Sequence, residues 1–187
     1  MDRTVELESR VRALEEKFAA SQALVQNLLD IEEIRTLRLK YHEAVSEGQS
    51  YKIAPLFVED GGEFDFGFMS RGTHIKKYFD FASKRSSFFK QYIHNHQVVV
   101  AGDMATGSSY QEAVSVVNGK TFTIAGRYDD IYRRTDKGWR FKKISFDPYI
   151  MLPASLQQIS QPETRKVDPY KGFIERDAEG NLIIPER

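Results

Sequence analysis

The sequence contains no cysteine, which excludes disulfides, thiol catalysis and cysteinyl zinc sites. Net charge is also missing. Lys+Arg and Asp+Glu number 27 each, and there is no basic stripe of the kind that tracks nucleic acid. No hydrophobic run approaches a membrane span, and the charged start Met-Asp-Arg-Thr-Val-Glu-Leu-Glu carries no apolar signal segment. These absences lead to the expectation of a soluble, cytoplasmic protein that binds neither nucleic acid nor membrane. What the 187-residue chain does have is 41% apolar and 12% aromatic residues, enough for one core with extensions.

Its single tryptophan sits in the stretch Gly126–Ser145. Tyr128, Asp130 and Tyr132 alternate with Asp129, Ile131 and Arg133, the period of a strand. Thr135-Asp136-Lys137-Gly138 is turn chemistry. Trp139, Phe141, Ile144 and Phe146 then begin a second strand, with Arg140, Lys142 and Lys143 left for solvent. The spacing predicts a long hairpin closing a curved sheet around a pocket.

Before it, residues 4–29 carry Leu7, Val11, Leu14, Phe18, Ser21, Val25 and Leu28 at alternating intervals of four and three. That is a heptad a/d seam with one polar member. It fits a coiled coil or an amphipathic helix lying on its own domain, and either suggests a homo-oligomer, a dimer or trimer. Asp30-Ile31-Glu32-Glu33 has capping-box spacing, so a new helix or a kink is expected there. Ile34, Leu37, Tyr41 and Val45 share a face and Gly48 ends the helix. Ser50 reads as the cap of a short helix through Phe57, and Thr73 as the cap of another that turns Ile75 and Phe79 inward. Between them Glu63–Phe68 alternates, with three phenylalanines on one side. From Gln91 onward the signal is β: Gln91 to Ala101, Ala105 to Val117, Lys120 to Arg134 and Trp139 to Tyr149, with Asn118-Gly119 as a strong hairpin turn. Helices first and a strand meander afterwards make the class α+β. The expected organisation is an N-terminal helix at 1–29, a domain at 30–150, and an extended tail at 151–187 that wraps the domain or a neighbour.

The run Leu37-Arg38-Leu39-Lys40-Tyr41, then Leu56-Phe57-Val58-Glu59-Asp60 and Gly72, resembles the nuclear transport factor 2-like superfamily. So do Asn95 to Gly102-Asp103, Gly126-Arg127-Tyr128-Asp129-Asp130 and Gly138-Trp139. The resemblance is to its polyketide-cyclase-like branch, which holds scytalone dehydratase, bile-acid dehydratase and hexachlorocyclohexane dehydrochlorinase. It covers roughly residues 30–150. It implies a cone-shaped α+β barrel, a strongly bent antiparallel sheet wrapped on helices around one deep apolar pocket. Dehydratase relatives use an Asp–His dyad. Counted onto this sequence the Asp position falls on Ser46 and the His position on Gln91, so the usual dyad is not matched. A further carboxylate would fall near Ala113 and an arginine near Pro148, whereas Tyr41 is retained.

Without that dyad, His94 and His96 are the candidate replacement bases, because histidine titrates near neutral pH. On a regular strand they share a face, and Gln91 needs a bulge to join them. A His-x-His pair can also hold a metal, and surface histidines are the plain alternative; no metal and no cofactor are expected. Tyr41 reads either as a core tyrosine with its hydroxyl at the rim or as a pocket hydrogen-bond donor. Ser46, Phe64, Phe66, Gln91, Gln111, Ala113, Ser115, Phe122, Ile124, Ile144 and Phe146 are the expected lining, apolar with a few neutral hydrogen-bonding groups. Asp147 is a further candidate base, while Glu47 and Glu112 are read as facing away. The functional expectation is a cofactor-independent lyase or isomerase acting on a hydrophobic, aromatic or polycyclic, oxygenated small molecule. The step is proton abstraction coupled to loss of water or a small aldehyde, or to a double-bond shift. The alternative is a non-catalytic small-molecule carrier or protein-assembly module on the same fold.

Overall fold

The computed structural model describes residues 3–67 and 69–153, and the backbone of Glu175–Arg176 and Leu182–Ile183. The chain begins with α1, Arg3–Ser46, one unbroken helix of 44 residues. Two 3₁₀ turns follow, Ser50–Lys52 and Ala54–Leu56. Then come β1 (Glu63–Asp65), β2 (Arg71–Gly72), α2 (Ile75–Arg85), β3 (Ser86–Ala101), β4 (Met104–Val117), β5 (Lys120–Thr135) and β6 (Gly138–Pro153). A short pair, β7 (Glu175–Arg176) and β8 (Leu182–Ile183), is antiparallel. The main sheet has the order β2-β1-β6-β5-β4-β3. It is antiparallel throughout except for β1 beside β6. The second half of α1 packs across it, chiefly on β3 and β6. This is the expected α+β architecture of a curved sheet wrapped on helices. The remainder of the tail, and Phe68, lie outside the described residues.

Strict alternation explains why the meander has one wet and one dry face. On β4, Ala105, Ser109, Gln111, Ala113 and Ser115 are buried, while Thr106, Tyr110, Glu112 and Val114 are exposed. Where the alternation slips, a bulge accounts for it. Tyr132 pairs with Phe141 and Ile131 with Lys143, so Lys142 is the extra residue that lets Phe141 and Ile144 both turn inward. A second slip between Ala125 and Gly126 makes Tyr149 the extra residue. Only glycine fits there: a Cβ on Gly126 would lie 2.4 Å from the Asp147 carbonyl oxygen and 2.6 Å from the Phe146 ring.

Three local expectations are corrected. Asp30 does not start a helix, because its carboxylate serves partners distant in sequence. Arg134 donates to both of its oxygens at 2.8 and 2.6 Å, and the Trp139 indole N–H donates at 3.2 Å. Ser50 does not cap, since its hydroxyl donates to Asp80 on α2 at 2.8 Å. The position preceding α2 is His74 rather than Thr73, with no side-chain cap.

Residues 3–29 of α1 are exposed at every position but Asn27, which is half-buried. The first half of the helix therefore leaves the body as an arm, and it does not lie down on its own domain.

Candidate functional site

The inward face of α1 is set by helical spacing. Ile34, Leu37, Tyr41 and Ala44 are buried, and so are Arg38 and His42, which fall four and eight residues after Ile34. Tyr41 meets Phe79 of α2, Phe141 of β6 and Tyr128 of β5 in edge-on ring contacts at 5.8, 5.8 and 6.4 Å. The helix, α2 and the sheet thus come together on this tyrosine.

Beside it lies a cavity of about 150 Å³. α1 contributes Tyr41, Ala44 and Val45; the segment after it Gly48, Ser50 and Ile53; the β1–β2 turn Phe66 and Met69. From α2 come Tyr78, Phe79, Ala82 and Ser83, and from the sheet Ser86, Phe89, Gln91, Gln111, Ile124, Tyr128 and Phe146. The walls are apolar and aromatic, with hydrogen-bonding groups on Tyr41, Gln91, Gln111 and Tyr128. No carboxylate or imidazole occurs among these lining residues. Gln111 is buried and its Oε1 has no hydrogen-bond partner, a cost that a ligand donor would relieve. A larger trough of about 1290 Å³ runs between α2 and the β5–β6 turn. Two of its ion pairs are Lys137 with Glu59 and Arg133 with Asp60, and its lining is dominated by charged side chains.

Beneath the cavity is a buried polar layer. Arg38 is wholly buried and its guanidinium lies 3.7 Å from the centre of the Tyr128 ring. It pairs with Asp130 at 3.0 Å, while its Nε and Nη1 have no acceptor. The Tyr132 hydroxyl donates to Asp130 at 3.0 Å and also contacts His96 Nε2 at 3.3 Å. Burial pushes the Asp130 carboxyl up, against the pull of Arg38. Burial pushes Tyr128 up to about 12, again opposed by Arg38, and lifts Tyr41 well above its ordinary value. Both tyrosines are therefore neutral across the physiological range, and Tyr41 shares a side-chain hydrogen bond with Tyr128. His42 is held down to about 2 by burial and by Arg38, and neither of its ring nitrogens has a partner.

The two strand histidines are not brought together. His94 pairs with Tyr110 and Gln97 with Ser108, leaving a bulge at Asn95, whose φ is +52°. Ahead of the bulge Gln91 and Ile93 turn inward, and after it His96, Val98 and Val100 do. His94 is consequently on the outer face, 48% exposed and 4.0 Å from Glu112. His96 faces inward but lies over Tyr132 rather than in the cavity wall, and burial lowers it to about 4. The same bulge brings His96 to the inner face that Gln91 already occupies. There the Gln91 backbone N–H donates to the Ser46 hydroxyl at 3.3 Å and its Nε2 to the His42 carbonyl at 3.4 Å. The positions expected to hold a dyad thus meet, but as serine and glutamine.

Of the expected lining, Tyr41, Phe66, Gln91, Gln111, Ile124 and Phe146 reach the cavity. Ser46 lies beside it through Gln91. Phe64 stands behind the wall, stacked on Tyr78 at 4.3 Å, and Ile144 is wholly buried in the core. Ala113, Ser115 and Phe122 share the inward side without lining the cavity. Arg38, His42, Tyr128 and Asp130 were not among the expected site residues. The signal for the first two was their spacing from Ile34; that for the last two was their inward phase in the hairpin. Among the described residues no cluster of His, Asp and Glu could hold a metal ion, and no helix is long and apolar enough to cross a membrane.

Comparison with known proteins agrees with this architecture. Solved structures similar to the chain include a protein from Novosphingobium aromaticivorans, provisionally described as an aromatic ring hydroxylase. It is 24% identical, with TM-score 0.64, over 67% of this chain and 94% of that one. A hexachlorocyclohexane dehydrochlorinase is 18% identical, with TM-score 0.57, over 74% and 92%. A nuclear transport factor 2-like superfamily protein from Salmonella enterica serovar Typhimurium is 16% identical, with TM-score 0.59, over 64% and 91%. Among curated proteins nothing matches significantly. The profile of the SnoaL-like domain matches residues 26–145, the helix, cavity and sheet described above. The chain shares its fold with the nuclear transport factor 2-like structure, and it belongs to the SnoaL-like domain family.

Proposed function

We propose that the cavity takes a compact hydrophobic molecule carrying one or two hydroxyl or carbonyl groups, and that the chain acts on it as a cofactor-independent lyase or isomerase. The observation that carries this reading is a tyrosine pair with a buried cation behind it. Tyr41 and Tyr128 line the cavity, and the Arg38 guanidinium lies against the Tyr128 ring. A fixed positive charge beneath neutral phenols favours negative charge developing on an oxygen they contact. The dehydrochlorinase on the same fold is a lyase, which supports the reaction class.

A wall with donors and no strong base favours a substrate that supplies its own electron push. In a hydroxyaryl carbinol the ring oxygen pushes as the benzylic C–O bond breaks. The leaving hydroxyl takes a proton from a tyrosine, and the proton lost from the ring hydroxyl restores it, so water departs with no enzymic carboxylate or imidazole required. Loss of a small aldehyde then follows where a second carbinol is separated from the first by one carbon. Its O–H gives up a proton as the C–C bond breaks and the aldehyde leaves. The electron pair passes into the quinone methide left by loss of water, which takes the proton and becomes a phenol again.

The test is incubation of the purified protein with a panel of aryl carbinols and hydroxy ketones, read by mass spectrometry for loss of water or aldehyde and by calorimetry for binding. Tyr41→Phe should lower turnover on the order of 10²-fold while binding persists. Turnover should show no inflection between pH 6 and 8, where a histidine base would produce one. Loss of turnover in His94→Ala, on the outer face, would sink this assignment. The second reading is a ligand carrier without chemistry, and the absence of any carboxylate or imidazole from the lining favours it. Binding without product across the panel, abolished by closing the cavity with Ala82→Phe, would establish that reading instead.

A further inference from the structure

The arm of α1 exposes Leu7, Val11, Leu14, Phe18, Val25 and Leu28, each more than half accessible. This is an apolar ridge about 30 Å long that the body leaves uncovered. Its flanks are not random. With Leu7, Leu14 and Leu28 at d and Val11, Phe18 and Val25 at a, the g positions are Arg3, Arg10, Lys17 and Leu24. The e positions are Glu8, Glu15, Gln22 and Leu29. One flank is basic, the other acidic, and both end in leucine.

We propose that this ridge is the interface of a parallel, in-register, two-stranded coiled coil with a second copy of the chain. In a parallel pair each g residue meets the e residue five positions later on the partner. The contacts become Arg3 with Glu8, Arg10 with Glu15, Lys17 with Gln22 and Leu24 with Leu29, two opposite-charge pairs, one neutral polar pair and one apolar pair. An antiparallel pair sets g against g and e against e, so the three basic residues find no acidic partner across the interface. β-Branched valine at a with leucine at d favours two strands over three. A foreign helix would need the same charge pattern, which this helix already carries.

The sequence has no cysteine, so single-cysteine variants of the full chain report orientation cleanly. Leu7→Cys and Leu28→Cys should each form a disulfide-linked dimer with itself on mild oxidation. Mixing the two variants should add no species joined through positions 7 and 28. Sedimentation should show that Leu14→Asp/Val25→Asp halves the assembly mass while Trp139 fluorescence is unchanged, because both side chains lie in solvent on the arm. The proposal is overturned by a monomeric wild type, by a three-chain assembly, by cross-linking only in the mixture, or by an assembly mass that the double variant leaves intact.

Discussion

At the scale of single residues, the decisive feature is a charge in the core. Arg38 and Asp130 are both fully buried and satisfy one another incompletely. Removing one partner strands the other, so Asp130→Ala should cost about 3–5 kcal/mol in urea denaturation. Arg38→Met/Asp130→Leu together should recover most of that. A pair kept at such a position is better explained by its place beneath Tyr128 than by stability. His42 adds a second residue-scale prediction. Its folded-state pKa of about 2 lies below the ordinary 6.5, so the unfolded chain binds a proton that the folded chain refuses. Stability attributable to it is complete above pH 6.5 and falls as pH drops toward 2. At pH 4 the loss is about 3 kcal/mol. His42→Phe should flatten the denaturation free energy between pH 6.5 and 4.

At the scale of elements, Asp30 separates what sequence can show from what it cannot. Its capping-box spacing is genuine, yet the carboxylate is taken by Arg134 and Trp139, over a hundred residues away. Arg134 holds its pKa down to about 2. If Asp30 were a cap, Asp30→Ser would be harmless. Because it is an ion-pair anchor, that substitution should destabilise by about 2 kcal/mol, read by chemical denaturation. The meander was legible for the opposite reason: Asn118-Gly119, the period-two runs and the Trp139 strand are local signals. The inward phase of Tyr41, Phe66 and Phe146 was legible too, whereas Tyr78, Phe89 and Tyr128 were not read as cavity lining. The histidine pair was not, because one extra residue at Asn95 reverses the facing of all that follows. Arg38 escaped notice because arginine on a helix ordinarily means solvent, and only the tertiary contact with Asp130 changes that.

At the scale of the whole molecule, α1 belongs to two structures at once. Its last turns form the wall that carries Tyr41, and its first turns form the exposed arm. The helix runs through the junction without a break, so the angular setting of the ridge relative to the cavity is fixed by residue count. One residue inserted between Leu29 and Asp30 should turn the arm by about 100° and lengthen it by about 1.5 Å. Two bodies on paired arms should then swing apart in small-angle scattering. A seven-residue insertion should move them outward with far less rotation.

A chain built this way is indexed like a spindle. Substitutions along the shaft are tolerated more readily than insertions, and the two cavity mouths of a pair keep a constant bearing to one another.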